Sequence, residues 1–151
     1  MQVGTDMHVK ELIERSEFEQ AFPVMAELAD HLSKEDYLAL VEEMRKDGYR
    51  LFALYDQHSQ IVSLAGGSIR TDLFNGKHLW ISEFVTRSEI RSTGAGSFLA
   101  EHLEQFAKSE GCERVILYSG MSREQAHHFW EARRGFERRG IVFKKHLENP
   151  I

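Results

Sequence analysis

Between the strand-like run HLWISEFVT, residues 78–86, and a helical run that begins near Ser97 stands the stretch RSTGAG, residues 91–96. A strand, a glycine-containing loop and a helix N-terminus in that order bring several free backbone N–H groups to one point, and such a point attracts a phosphate. Gly94 and Gly96 remove the Cβ atoms that would hold an anion away from the backbone, and either can adopt positive φ at low cost. Arg91 adds a side chain able to fork two oxygens. The pattern is RxxGxG, which is neither the GxGxxG of dinucleotide folds nor the GxxxxGK[ST] of P-loop kinases. Taken alone, the six residues fit an unliganded glycine-capped helix as well as an anion site.

The rest of the chain reads as a mixed α/β order. MHVKELI is a first strand, and Ser16 with Glu19 has the spacing of a capping box opening a helix that Pro23 interrupts. Ser33 with Asp36 caps a second helix, which Gly48 ends. RLFALYD and IVSLAGGSI are strands joined by QHS, and Asn75–Gly76 marks the turn into the fourth strand, HLWISEFVT. Leu99, Leu103 and Phe106 recur at i, i+4, i+7 on one helix face that ends at Gly111. RVILYS has the continuous apolar character of a strand covered on both faces. A last helix spans about Ser122 to Arg134, and IVFKKHL closes the order as a strand.

Several function classes are disfavoured. The 151 residues fit one domain. No window approaches the roughly 20 apolar residues of a membrane span, and MQVGTDMHVK does not look like a signal peptide. The single cysteine, Cys112, excludes an internal disulfide, so a reducing cytoplasm is the expected compartment. It reads as a buried small hydrophobe rather than an acyl carrier. The eight histidines are dispersed without an HExxH or paired spacing, and no metal is expected. Residues 1–48 hold 12 acids and 5 bases, residues 121–151 hold 7 bases and 4 acids, and the net charge of −5 argues against a nucleic-acid partner, a charged tRNA included.

With the loop and its flanks in place, the chain resembles the GCN5-related N-acetyltransferase (GNAT) superfamily, whose pyrophosphate loop reads [RQ]xxGx[GA]. FVTRSEIRSTGAGSFLAEHL is similar to that motif throughout, and VILYSGMSREQAHHFWEARRGF looks like the strand and helix that follow it. The clearest similarity covers residues 79–147; the N-terminal part matches only in the order of its elements. SREQAHHFW followed by RRGFERRGIVFKK looks most like the small-amine group that includes aminoalkylphosphonate N-acetyltransferase.

The resemblance implies a single-domain α/β fold (α+β in layout) with a mixed central sheet of about six or seven strands flanked by about four helices. Acetyl-CoA would lie with its pyrophosphate on the amides of Arg91, Ser92, Thr93, Gly94, Ala95, Gly96 and Ser97. Its pantetheine arm would pair with the backbone of Phe84, Val85 and Thr86 like an added strand, and an N–H near Val85 would stabilise the oxyanion. The acceptor, a small primary amine or amino acid derivative, would be gripped by the first two helices, the loop after the third strand and the last strands. An acidic N-terminal third favours a cationic acceptor. A homodimer is compatible with this class. The rival readings are a protein or peptide acetyltransferase and a non-catalytic acyl-CoA-binding module.

Glu83 is the expected general base. Strict alternation places it on the face of Ile81 and Val85, where apolar neighbours raise a carboxyl pKa towards the range that suits proton abstraction from an ammonium group. Its alternatives are a Glu turned to solvent by a bulge, or one paired with an Arg. The general acid departs from the family pattern, because Trp130 stands where a tyrosine is frequent and an indole N–H does not ionise. Water, Tyr118 on the fifth strand and His127 are the remaining sources of a proton, and water suffices because a thiolate is a tolerable leaving group. Arg123, His127, Trp130 and Arg134 fall at i, i+4, i+7 and i+11. Either Arg123 and His127 face the cofactor with Trp130 beside the pantetheine, or the stripe is solvated.

Overall fold

The computed structural model describes residues 6–91 and 93–147. Strands β1 (His8–Glu11), β2 (Arg50–Tyr55), β3 (Ile61–Asp72), β4 (Gly76–Thr86) and β5 (Arg114–Leu117) form one sheet in that spatial order. The first four are an antiparallel meander, and β5 runs parallel to β4. A parallel neighbour needs a crossover, which helix α3 (Ala95–Ser109) supplies. Helices α1 (Arg15–Met25) and α2 (Lys34–Arg45) lie between β1 and β2.

Two apolar layers sandwich the sheet. Phe18, Ala21, Val24 and Met25 of α1 and Tyr37, Leu38 and Val41 of α2 pack on Tyr49, Leu51, Leu64 and Val85. Leu99, Leu103 and Ala107 of α3 pack on Phe52, Ala65, Leu79 and Ile81. Burying apolar side chains on both faces is what makes β2 and the first half of β3 nearly continuous in hydrophobicity.

Local chemistry sets most boundaries. Ser33 Oγ accepts the Asp36 N–H at 3.0 Å to open α2, and Gly48, at φ 92°, turns the chain out of it. The β3–β4 turn closes on Asp72, whose Oδ1 accepts the N–H groups of Phe74 (2.9 Å) and Asn75 (2.7 Å), with Gly76 at φ 63°. The capping box of α1, however, is Glu14 with Glu17 rather than Ser16 with Glu19. Glu17 accepts the N–H groups of Ile13 (2.8 Å) and Glu14 (2.9 Å) and pairs with Lys10, three partners that Glu19, beside Arg15 at 3.8 Å, does not gather. Pro23 falls in the last turn of α1, which ends two residues later.

The sheet has five strands among the described residues, fewer than the six or seven expected. Residues 141–147, IVFKKHL, form no strand: Ile141, Val142, Phe143 and Leu147 are exposed. Strand propensity produces a strand only where a ladder partner exists, and among the described residues none pairs with this stretch.

The chain divides into two compact units, Met1–Leu117 and Tyr118–Ile151. Within the second, a short helix α4 (Glu124–His128) runs into a π-helical turn (Phe129–Arg133). Trp130 is buried, with its ring edge-on to Phe129 and Phe136 at 4.8 and 5.0 Å, and Arg138 forks the Glu131 carboxylate at 2.7 and 2.9 Å.

Candidate active site

The centre of the site is a bulge in β4. Glu83 lies opposite Gly66 of β3, but Ile81 lies opposite Gly67, so Ser82 is the extra residue. The inserted residue reverses the alternation. Leu79 and Ile81 face α3, whereas Glu83 and Val85 face α1 and α2. Glu83 therefore shares a face with Val85, as expected, but not with Ile81. Gly67 permits the bulge, because a Cβ there would stand 2.2 Å from the Trp80 carbonyl oxygen.

On its new face the half-buried Glu83 receives a hydrogen bond from Tyr49, Oη to Oε1 at 2.6 Å. Gly66 makes the space: a Cβ there would lie 1.9 Å from Tyr49 Oη and 2.8 Å from Glu83 Oε1. Burial pushes the Glu83 carboxyl above its ordinary range, and the Tyr49 hydroxyl pulls part of that shift back. Burial also raises the Tyr49 phenol well above its usual value, with the Glu83 charge adding to the effect, so Tyr49 remains a proton donor at working pH. Tyr37 of α2 is raised in the same way, and its hydroxyl donates to the Phe18 carbonyl at 2.8 Å. The Glu83 carboxyl is thus not turned fully to water, no arginine among the described residues pairs with it, and burial favours its protonated form more than in a free carboxyl.

Beyond Glu83, β4 runs past the β5 ladder, which pairs only His78–Ile81 with Arg114–Leu117. The end of β4 is pinned from the β3 side, where buried Ser63 donates to the Val85 carbonyl and shares a hydrogen bond with Thr86 Oγ1, both at 2.9 Å. Phe84 packs towards the α3 layer. A 3₁₀ turn (Ser88–Ile90) then leads into the glycine loop.

In that loop Gly94 is the N-cap of α3 at φ 97°, a left-handed conformation that strains any residue with a Cβ. The helix starts at Ala95, two residues earlier than expected, so Gly96 and Ser97 lie in its first turn and only Gly94 of the two glycines uses positive φ. Thr93 Oγ1 donates to the Ile90 carbonyl at 2.7 Å, holding the approach to the turn. Ser92 lies outside the described residues. Arg91 is engaged by the protein itself: Nε donates to the Thr86 carbonyl at 3.1 Å, and a terminal nitrogen lies 3.6 Å from Glu27.

The second unit differs from its expected stripe. Arg123 is the N-cap of α4 rather than a helical residue, and the π-turn, closed by Arg134 N–H to the Phe129 carbonyl at 3.1 Å, takes more residues per turn than an α-helix. Arg123, His127, Trp130 and Arg134 therefore do not follow one α-helical face. A His127 ring nitrogen lies 2.8 Å from the Gly120 carbonyl and must donate to it. Tyr118 lies just past the end of β5 rather than within it, and is 55% exposed. Cys112 is half-buried, with burial pushing its thiol up. Among the described residues no three His, Cys, Asp or Glu side chains group as metal ligands, and no helix is long and apolar enough to cross a membrane.

Tyr49, Gly66 and Ser63 are the site residues that sequence reasoning missed. The Gly66–Gly67 pair inside a strand was a usable signal, since glycine in a strand interior marks a bulge or a close approach. Nothing local marks Tyr49, which meets Glu83 across 34 positions of chain.

A sheet with this crossover, a glycine-capped helix after its fourth strand and a bulge presenting a carboxylate is the frame of a coenzyme A-dependent acyltransferase. The acetyltransferase (GNAT) family profile matches residues 11–136, and the chain belongs to that family. It is an acyltransferase with acetyl-CoA as co-substrate. It is 36% identical over 140 residues, 92% of its own length and 98% of the relative's, to the uncharacterized N-acetyltransferase YhdJ of Bacillus subtilis (strain 168). Its fold is similar to that of aminoglycoside N-acetyltransferase AAC(6')-Iy in complex with CoA, with TM-score 0.82, 18% identity and 99% of each chain covered. It is also similar to an acetyltransferase of Trypanosoma brucei, with TM-score 0.76, 23% identity and coverage of 93% of this chain and 99% of the other.

Proposed function

We propose that this enzyme transfers the acetyl group of acetyl-CoA to the primary amine of a small molecule by direct attack in a ternary complex, with Glu83 as general base. The observation that carries the reading is the bulge at Ser82, which turns a carboxyl of raised pKa to the face of Val85, beside the half of β4 that extends past the β5 ladder. The pyrophosphate sits on the amides of residues 91–97, with the free N–H groups of α3 and the left-handed Gly94 as the supporting geometry. Pantetheine pairs with the backbone of Phe84, Val85 and Thr86. Both units act as one catalytic domain, a reading supported by the span of the family match across residues 117 and 118.

In the reaction, Glu83, directly or through a water, takes one proton from the substrate ammonium and frees the nitrogen lone pair. That pair forms the C–N bond at the thioester carbonyl, and the backbone N–H near Val85 stabilises the resulting oxyanion. Collapse reforms the carbonyl and breaks the C–S bond, the thiolate leaves with the electron pair, and the nitrogen gives its second proton to water. Water protonates the thiolate, with Tyr118 as the second choice. A small-molecule acceptor is favoured by likeness to the aminoglycoside enzyme and by the anionic charge that Glu83 offers an ammonium group.

The test is free-thiol release from acetyl-CoA across amines, aminophosphonates, polyamines and peptides, with Glu83→Gln alongside. Turnover should fall about 100-fold or more and the acid limb of the pH profile should vanish, while calorimetry shows acetyl-CoA affinity retained. Turnover unaffected by the substitution removes Glu83 from the mechanism, and activity on peptides alone replaces the small-molecule acceptor.

A further inference from the structure

We infer that Tyr49 is a positioning residue of the acetyl transfer: by tying Glu83 Oε1 it fixes the carboxylate so that Oε2 is the oxygen that takes the proton. The inference rests on Glu83 being the base. Three independent features of the structure support it.

The first is geometry. The 2.6 Å contact is a short O–H···O bond of the charge-assisted kind, and an ionised carboxylate offers only acceptors, so the hydroxyl must be the donor. The second is space. Gly66 faces this pair from β3, and a Cβ there would fall 1.9 Å from Tyr49 Oη, 2.5 Å from its Cζ and 2.8 Å from Glu83 Oε1. The lack of a side chain at Gly66 is therefore the notch in which the hydrogen bond forms. The third is rigidity. Tyr49 is 6% exposed and packs in the layer of α1 and α2, so its ring has nowhere else to go, while Glu83 hangs from a bulge that by itself does not fix a side-chain rotamer.

Among the described residues, the titratable groups that interact with Glu83 are two tyrosines. Tyr49 approaches from the turn before β2 and Tyr37 from α2; α1 turns Phe18, Ala21, Val24 and Met25 into this layer, and β3 offers Gly66. Among the described residues no cation pairs with the carboxylate, so burial drives its affinity for a proton up and the Tyr49 hydroxyl limits the rise. A base too basic stays protonated at working pH, whereas one too acidic does not pull a proton from an ammonium group. Tyr49 sets the compromise without touching substrate.

The experiment combines pH profiles of kcat/KM with a 13C titration of the Glu83 carboxyl, assigned by difference against Glu83→Gln. Tyr49→Phe keeps the ring and removes the donor. Both the kinetic acid limb and the carboxyl titration should move up by about one pH unit, with KM for acetyl-CoA unchanged. Should Tyr49→Phe fail to fold, difluorotyrosine placed at position 49 serves instead: its more acidic hydroxyl donates more strongly and should move both readouts down. A carboxyl titration that stays in place in the folded variant overturns the role of Tyr49. A titration that moves while the kinetic limb does not overturns Glu83 as base, and with it the reading on which the inference stands.

Discussion

Gly67 lies so close to Trp80 that a Cβ on the glycine would stand 2.2 Å from the Trp80 carbonyl oxygen and 3.1 Å from the Ile81 Cα. Both neighbours are main chain, which cannot swing aside as a side-chain tip can. Gly67→Ala should therefore force the bulge to move, at a cost of about 2–3 kcal/mol in urea unfolding, and should lower turnover if Glu83, the base proposed above, is carried on that bulge. Unchanged stability would mean that β3 shifts freely here.

Ser63→Ala removes the donor to the Val85 carbonyl and the partner of Thr86 Oγ1 at a buried position. The expected loss is about 1–3 kcal/mol of stability. A rise in KM for acetyl-CoA should accompany it, since the backbone of Val85 and Thr86 is where the pantetheine is proposed to pair. Equilibrium unfolding and initial-rate kinetics on the same preparation separate the two effects.

Gly94→Ala places a Cβ at φ 97°. The strain should cost about 1–2 kcal/mol of stability, and calorimetry with acetyl-CoA should show weakened binding because the first amides of α3 are displaced. A variant that loses stability but binds normally would move the pyrophosphate away from this turn.

Glu17 gives stability a defined pH dependence. The Lys10 ammonium, followed by the N–H groups of Glu14 and Ile13, holds its carboxyl down at about 2. A depressed carboxylate contributes fully above its unfolded pKa of roughly 4.3 and loses its contribution as pH falls towards the folded value. Acid unfolding followed by circular dichroism should thus steepen between about pH 4 and pH 2, and Glu17→Gln should be less stable at neutral pH but flatter across that window.

Ser33→Ala should cost about 1 kcal/mol, because the hydroxyl is the acceptor for the Asp36 N–H at the start of α2. Thermal unfolding measures it directly, and acetyl-CoA affinity should not change.

Which features follow from the local sequence is set by the reach of the interactions that make them. Ser33, Gly48, Asn75–Gly76 and Gly94 act within a few residues of themselves, and the structure uses each of them to begin, end or redirect an element. The shift of the α1 cap from Ser16 to Glu14 goes with the partners that Glu17 gathers, one of which, Lys10, sits on a strand and meets it only once β1 and α1 are packed. The stripe through Arg123 and Trp130 failed because a π-turn changes the angular step, and periodicity read at 3.6 residues per turn does not register that.

What the sequence determined by itself was the order of elements up to β5, the glycine turn before α3 and a carboxylate within β4. Those follow from propensities, caps and alternation, all of which act through neighbours in the chain. Only the tertiary structure decided which way that carboxylate points. Pairing Gly66 and Gly67 against residues 81–83 left one residue over, and the leftover residue reversed the faces of β4. The same packing brought Tyr49 to Glu83 from 34 positions away. Register and contact between distant segments are properties of the assembled sheet, because a one-residue slip exchanges every side chain between its two faces.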